Sequence, residues 1–261
     1  MTFSTYLIDS ATMVRRNVRH MRRYPMLFFI AGIPIVFLLL FVFVFGGTLG
    51  AGLPGLTGGR AEYVAYVTPG ILLFTVAGAA QGTTISVAMD MKEGVIDRFR
   101  TMPISRASVL TGHVLANVGQ TMLGVLLVVV VAVLIGFRAT TGPIEWIAAA
   151  GVLALIALAL TWISVALALV SKSVETASNL PMPLMLLPFF GSGFVPTESM
   201  PEPLRLFADN QPFTPMIETV RRLLLGSEVG SQALIAVAWC VAITVGGYVW
   251  AGRLYNRDPA R

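Results

Sequence analysis

Of 261 residues, 56% are hydrophobic and only 12% charged, against about 25% in an average soluble domain, which leaves too little polar surface for a water-soluble chain of this size. The formal net charge of +5 comes from basic residues set between apolar blocks, with no basic patch interleaved with aromatics. That pattern argues against nucleic acid and for the membrane surface as partner. The one cysteine, Cys240, forbids an intrachain disulfide and a multi-cysteine metal cluster, and reads as small apolar filler.

Residues 1–25 are polar and basic. Apolar residues recur at Phe3, Leu7, Ala11, Val14, Val18 and Met21, while Arg15, Arg16, Arg19, Arg22 and Arg23 take the other face. This predicts an amphipathic interfacial helix in the inner headgroup layer. A plain positive-inside stop before the first span needs the same arginines. The apolar block that follows, 26–45, is longer than the roughly 7–15 residues of a signal h-region, and no small-residue cleavage site follows it. It is therefore expected to be retained as a span.

A bilayer core of about 30 Å needs about 20 apolar helical residues. Six segments approach that length: 26–45, 68–89, 114–137, 146–170, 177–195 and 233–252. The predicted fold is an all-α integral membrane protein whose six-helix transmembrane domain occupies 26–252. In the fifth segment Pro181, Pro183 and Pro188 each remove a backbone donor. Such breaks survive in a membrane only against protein or water, so this helix is expected to face a partner or cavity and to be kinked or partly re-entrant.

Three connections carry pattern of their own. The Gly-rich stretch 46–59 reads as a flexible outer loop. Residues 90–112 form a long charged loop. In 196–231, Pro201 opens a short helix through Leu204 to Phe207, and residues 212–225 place Met216, Val220 and Leu224 at helical spacing, which predicts short outer helices lying over the membrane. With the N-terminus inside, thirteen of the eighteen Lys and Arg fall on the cytoplasmic side, including the 253–261 tail. The acidic residues divide six inside and seven outside, as expected if only positive charge is sorted. Both termini are then cytoplasmic.

The six predicted cores hold no Asp, Glu, Lys, Arg or His; their strongest polar groups are Gln81, Asn117, Gln120 and Asn179, none of which carries a proton at neutral pH. A proton-coupled antiporter would lack its relay. A phosphate loop ends in Gly-Lys-Ser/Thr, but the two lysines, Lys92 and Lys172, follow Met91 and Ser171. Any ATPase must therefore be a separate chain, and no catalytic, cofactor-binding or metal-ligating residue is assigned here. Gly191-Ser192-Gly193 would need a base to act as a serine nucleophile, yet His20 and His113 are predicted on the opposite side. The glycines are expected to let backbones approach or bend, and His113 to sit at the interface where the third span begins.

The stretch Asp90-Met-Lys-Glu-Gly-Val-Ile-Asp-Arg-Phe-Arg-Thr-Met-Pro-Ile-Ser-Arg106 resembles the cytoplasmic loop of ABC-2 type transporter permeases, with Glu93, Gly94, Asp97, Phe99, Pro103, Ser105 and Arg106 in the family's places. Phe194-Val195-Pro196 with Met200-Pro201 and Leu204-Arg205 is similar to the segment after that family's fifth helix. Asn210-Gln211-Pro212-Phe213-Thr214-Pro215 with Arg221 is similar to its Asn-Pro-x-Thr stretch, although Gln211 splits the Asn-Pro pair. The similarity spans nearly the whole chain, and daunorubicin-resistance-type drug-export permeases come nearest.

The resemblance implies an ATP-binding-cassette exporter in the bacterial inner membrane, two copies of this chain with two ATPase subunits, and ATP and Mg2+ bound by the partner only. The cargo would be hydrophobic or amphiphilic, drug-like or lipid-like. The loop between the second and third spans would be a coupling helix: Glu93, Asp97, Arg98 and Arg100 supply ionic contacts, Ile96 and Phe99 a knob for an apolar cleft on the ATPase. A solvated loop that merely satisfies topology is the plain alternative. Gly78 and Gly82, four apart, could bring the two copies close, though packing within one chain explains them equally well. A permease for polysaccharide or lipid-linked glycan, and a non-transporting scaffold or immunity protein, are the rival functions.

Overall fold

The computed structural model of the chain describes residues 26–51, 59–94 and 106–255, and among them the regular structure is all helical, without strands. The predicted interfacial helix with Arg15, Arg16, Arg19, Arg22 and Arg23, and the tail beyond residue 255, lie outside the described residues.

The first span begins as α1 (Met26–Leu40), passes through a π-helical turn (Phe41–Phe45) and continues as α2 (Gly46–Ala51). The Gly-rich stretch expected to be an outer loop from residue 46 is thus helical as far as Ala51. The two long central helices, α3 (Arg60–Lys92) and α4 (Arg106–Leu134), are followed by α5 (Pro143–Val170). Pro143 sits in the first turn of α5, where its missing N–H is no loss. Next come α6 (Val174–Asn179), α7 (Met182–Leu186), a 3-10 turn (Leu187–Phe190), a second (Thr197–Ser199), α8 (Glu202–Asn210), α9 (Phe213–Leu225) and α10 (Gly230–Tyr255).

Among the described residues five helical stretches are long and apolar enough to cross a membrane: Ile30–Thr48, Arg60–Lys92, Leu110–Leu134, Pro143–Val170 and Gly230–Tyr255. The fifth predicted helix, 177–195, does not form as one piece. Ser173 caps α6 by accepting the Thr176 N–H at 3.2 Å, and the chain then breaks at Leu180-Pro181, restarts as α7 with Pro183 in its first turn, and tightens to the 3-10 turn around Pro188. Each proline withholds a donor that a continuous helix would need.

All three pieces nevertheless run along α3, which they follow in antiparallel register. Val174 and Glu175 share a cleft with Ala88 and Lys92 at one end of it. In the middle, Gln81 Nε2 donates to the Ser178 carbonyl at 2.7 Å. At the far end Tyr66 donates its hydroxyl to the Ser192 carbonyl at 3.0 Å.

Helix α3 is the centre of the bundle: α1, α4, α5, the broken segment and α9 all rest on it. Its buried hydroxyls at Thr68, Thr75, Thr83 and Thr84 each donate to the carbonyl four residues back, at 2.7 to 3.3 Å, so these polar groups are satisfied without water. On the periphery α10 packs on α5 through Gly247, where an added Cβ would lie 2.9 Å from the Ile163 nitrogen and the Trp162 carbonyl carbon. Trp162 and Tyr248 meet edge-on beside it, centroids 4.9 Å apart. Gly247→Leu is therefore expected to push α10 off α5 and to destabilise the fold by about 1–3 kcal/mol, typical of overpacking. Thermal unfolding of the purified protein measures it, and an unchanged Tm would show that the two helices can part without cost.

One outer element departs from expectation. The segment predicted to lie over the membrane is divided: α8 is largely exposed, but α9 buries Phe213, Met216, Ile217, Val220 and Leu224 against α3, α5 and α10. Thr140 and Thr141 donate to the Leu225 and Leu224 carbonyls at 2.7 and 3.2 Å, and Gly226, with φ of 75°, ends the helix in the left-handed region.

Candidate functional site

Of the residues implicated in coupling, Glu93 and Gly94 lie where α3 stops. The Glu93 and Gly94 N–H groups donate to the Met89 and Met91 carbonyls at 2.9 and 3.1 Å, and Gly94 has φ of 68°, a conformation that L side chains seldom adopt. Glycine is thus what lets the chain leave the helix here. Arg106 opens α4 on the other side of the loop. Ile96, Asp97, Arg98, Phe99, Arg100 and Pro103 lie outside the described residues.

The two helix ends that carry this loop are tied together. His113 Nε2 lies 3.2 Å from Asp90 Oδ2, both side chains mostly buried. Sequence reasoning treated His113 as a lone interfacial residue. The available signal was its position: Asp90 and His113 bracket the two ends of the same loop. Beside this base the α5–α6 turn comes down, and between them opens a cleft of about 330 Å³ lined by Ala88, Met91, Lys92, Ser171 to Val174 and Glu175. The only two lysines of the chain, 80 positions apart, both line it. This end of the molecule is a polar surface of mixed sign, suited to docking a protein. Among the described residues no group of three His, Cys, Asp or Glu could hold a metal.

At the opposite end of α3 lies a second polar centre, which brings together Arg221 and the Gly191-Ser192-Gly193 turn, two features that nothing in the sequence joins. Arg221 of α9 is buried. It pairs with Glu218 one turn back, its Nη2 donates to the Ser192 carbonyl at 2.5 Å and to the Tyr66 carbonyl at 3.2 Å, and its guanidinium lies 3.9 Å from the centroid of the Tyr66 ring. The backbone around Ser192 is held on other sides too. A Cβ on Gly70 would fall 2.8 Å from the Gly193 Cα and carbonyl carbon, and Gln211 Nε2 donates to the Leu187 carbonyl at 3.1 Å. The glycines of Gly191-Ser192-Gly193 thus allow the close backbone approach expected of them. Ser192 is at this end and His113 at the other.

Next to it five phenyl rings join α1, α3 and the broken segment: Phe37 with Phe74 and Phe189 at 5.2 and 5.9 Å, Phe41 with Phe194 at 4.7 Å, and Phe189 stacked on Phe194 at 4.4 Å. Gly78 and Gly82 are half-buried on α3, and no atom of the described chain comes within 4 Å of a Cβ built on Gly78.

A family model described as ABC-2 type transporter matches residues 10–225. The chain is 30% identical over 227 residues to a daunorubicin resistance ABC transporter permease protein of Streptomyces coeruleorubidus, covering 83% of this chain and 77% of that one. It is 28% identical over 177 residues to a probable doxorubicin resistance ABC transporter permease protein of Mycobacterium tuberculosis, covering 66% of this chain and 64% of the relative.

Proposed function

The chain belongs to the ABC-2 type transporter family, and we propose that it is the membrane-spanning permease subunit of an exporter driven by a separate ATP-binding-cassette ATPase. The observation that carries this reading is the division of labour along α3. Its middle, from Val67 to Met89, holds no ionisable residue, while its two ends hold the Asp90–His113 pair under a charged loop and the buried Arg221 centre. Charge that could respond to an ion gradient is missing where an ion would have to pass, so the work enters at the end that faces the loop.

The chain crosses the bilayer six times, and the fifth crossing is the broken segment. Its register supports this: between the level of Ala88 and that of Tyr66, α3 rises about 33 Å at about 1.5 Å per residue, a full hydrocarbon thickness. Six crossings put both termini, the 90–112 loop and the α5–α6 turn on one side, and the excess of Lys and Arg there supports the cytoplasm as that side. Closure of two ATPase subunits on bound ATP and Mg2+ then moves the coupling loops and exchanges inward-facing for outward-facing packing. A second copy of this chain completes the pathway, with Gly78 and Gly82 on the meeting face. The cargo is hydrophobic or amphiphilic, of the kind named for the drug-resistance relatives, and enters from the inner leaflet.

Reconstituting the permease with its ATPase in vesicles and measuring ATP hydrolysis against added daunorubicin-like and lipid-like compounds tests the proposal. Stimulated hydrolysis with accumulation of cargo on the far side is expected. Hydrolysis that no cargo alters would favour a scaffold instead.

A further inference from the structure

We propose that Arg221 is the pin of an outer gate: it holds the Gly191-Ser192-Gly193 turn of the broken crossing against α3, and export requires that turn to be released. The inference rests on the export reading above and adds to it where the pathway opens.

At this turn the backbone of the crossing lies directly against that of α3, with Gly193 packed on Gly70. Its holding contacts converge on a single atom, the Ser192 carbonyl oxygen, which accepts from both Tyr66 Oη at 3.0 Å and Arg221 Nη2 at 2.5 Å. A guanidinium suits this task because its planar fork reaches two carbonyls at once, those of Ser192 and Tyr66, while Glu218 neutralises it and the Tyr66 ring covers its face. Charge-assisted bonds of this kind are roughly twice as strong as neutral ones, more so where water is excluded.

The same turn is poorly satisfied in other respects. Among the described residues the Ser192 hydroxyl and Gln211 Oε1 are both buried without a hydrogen-bond partner, one within the turn and one on the residue that packs against Gly191. A buried unpaired polar atom favours any state in which water reaches it. Opposed to Arg221, then, are two groups that gain by exposure, and such a balance makes a two-state element rather than a fixed brace. The breaks at Pro181, Pro183 and Pro188 leave this length of chain free to swing without unwinding a helix. The movement would open the seam between α3 and the Phe189–Phe194 stack toward the outer side.

The test follows the accessibility of Ser192. In a Cys240→Ala background, S192C is labelled with a membrane-impermeant maleimide in vesicles containing the complete transporter. With Arg221 intact, labelling is expected to be slow at rest and to accelerate at least tenfold when ATP is supplied. Arg221→Gln is expected to raise the resting rate at least tenfold and remove the ATP dependence. Tyr66→Phe, which deletes one of the two donors and leaves the core packed, is expected to raise it a few-fold, so a folding failure of the arginine variant does not end the test. Resting rates unchanged in both folded variants would overturn the gate. If ATP fails to accelerate labelling with Arg221 intact while the variants label fast at rest, the pin stands and the export reading falls.

Discussion

Gly70→Val is expected to prevent accumulation of folded protein, the largest structural effect of any single substitution considered. The added Cβ would sit 2.8 Å from the Gly193 Cα and carbonyl carbon and closer still to its oxygen. Both sides of that contact are backbone, so no rotamer change relieves it. One side is the central helix, on which most of the bundle rests. Overpacking of side chains costs about 1–3 kcal/mol. Here the strain also drags Ser192 from Arg221, leaving a buried guanidinium short of acceptors, and loss of a partner from a buried charge costs about 3–5 kcal/mol. Yield of monodisperse protein and its thermal unfolding measure the outcome. Gly78→Val is the matched control on the same helix: its Cβ meets no atom of the described chain. That variant is expected to fold, and to weaken self-association if the proposed dimer uses this face. A Gly70→Val protein with unchanged Tm would mean that α3 and the broken crossing do not touch.

Reversing charge at Glu93 and Asp97 together is expected to have the largest effect on function. Glu93 stands exposed at the end of α3, where Gly94 turns the chain into the loop; Asp97 lies three residues further into that loop. If these carboxylates meet basic groups on the ATPase, Glu93→Lys with Asp97→Lys turns two attractions into two repulsions, worth several kcal/mol across a protein interface. Cargo moved per ATP hydrolysed is expected to fall by tenfold or more, while the ATPase keeps hydrolysing. The fold should be untouched, because the Asp90–His113 pair that ties α3 to α4 remains. Transport assays paired with phosphate release, and co-purification of the ATPase, provide the reading; normal transport by the double variant would remove the loop from the coupling route.

The long spans were legible because lipid imposes a length and a composition that can be counted, and 68–89, 114–137, 146–170 and 233–252 all lie within or beside real helices. Their ends were less so. Helix α3 begins at Arg60, eight residues before the apolar run, since a helix does not stop where hydrophobicity does once Tyr63 and Val64 are packed against neighbours. The prolines of the fifth segment announced a break, but not that its pieces would keep step with α3; that depends on contacts such as Gln81 with Ser178, 97 positions apart. For α9, Met216, Val220 and Leu224 at helical spacing predict a short helix lying over the membrane, not one packed into the bundle. The burial of Arg221 became visible only with acceptors 29 and 155 positions away in the chain. Of the implicated coupling residues, the structure gives a local reason only for Gly94, because a left-handed helix stop leaves a mark in the sequence and a docking contact with an absent chain does not.

Helix α3 is unbroken from Gly70 to Lys92, and it contributes to both polar centres through Asp90 at one end and Tyr66 toward the other. A continuous helix is stiff along its axis, so in the proposed exporter a displacement applied beneath Lys92 would reach Gly70 and the Gly193 backbone packed on it with little lost on the way. The jointed segment beside it has no such stiffness and cannot transmit a stroke, only yield to one. In the proposed exporter, drive shaft and shutter are two neighbouring stretches of one polypeptide, the first continuous from Gly70 to Lys92 and the second interrupted at Pro181, Pro183 and Pro188.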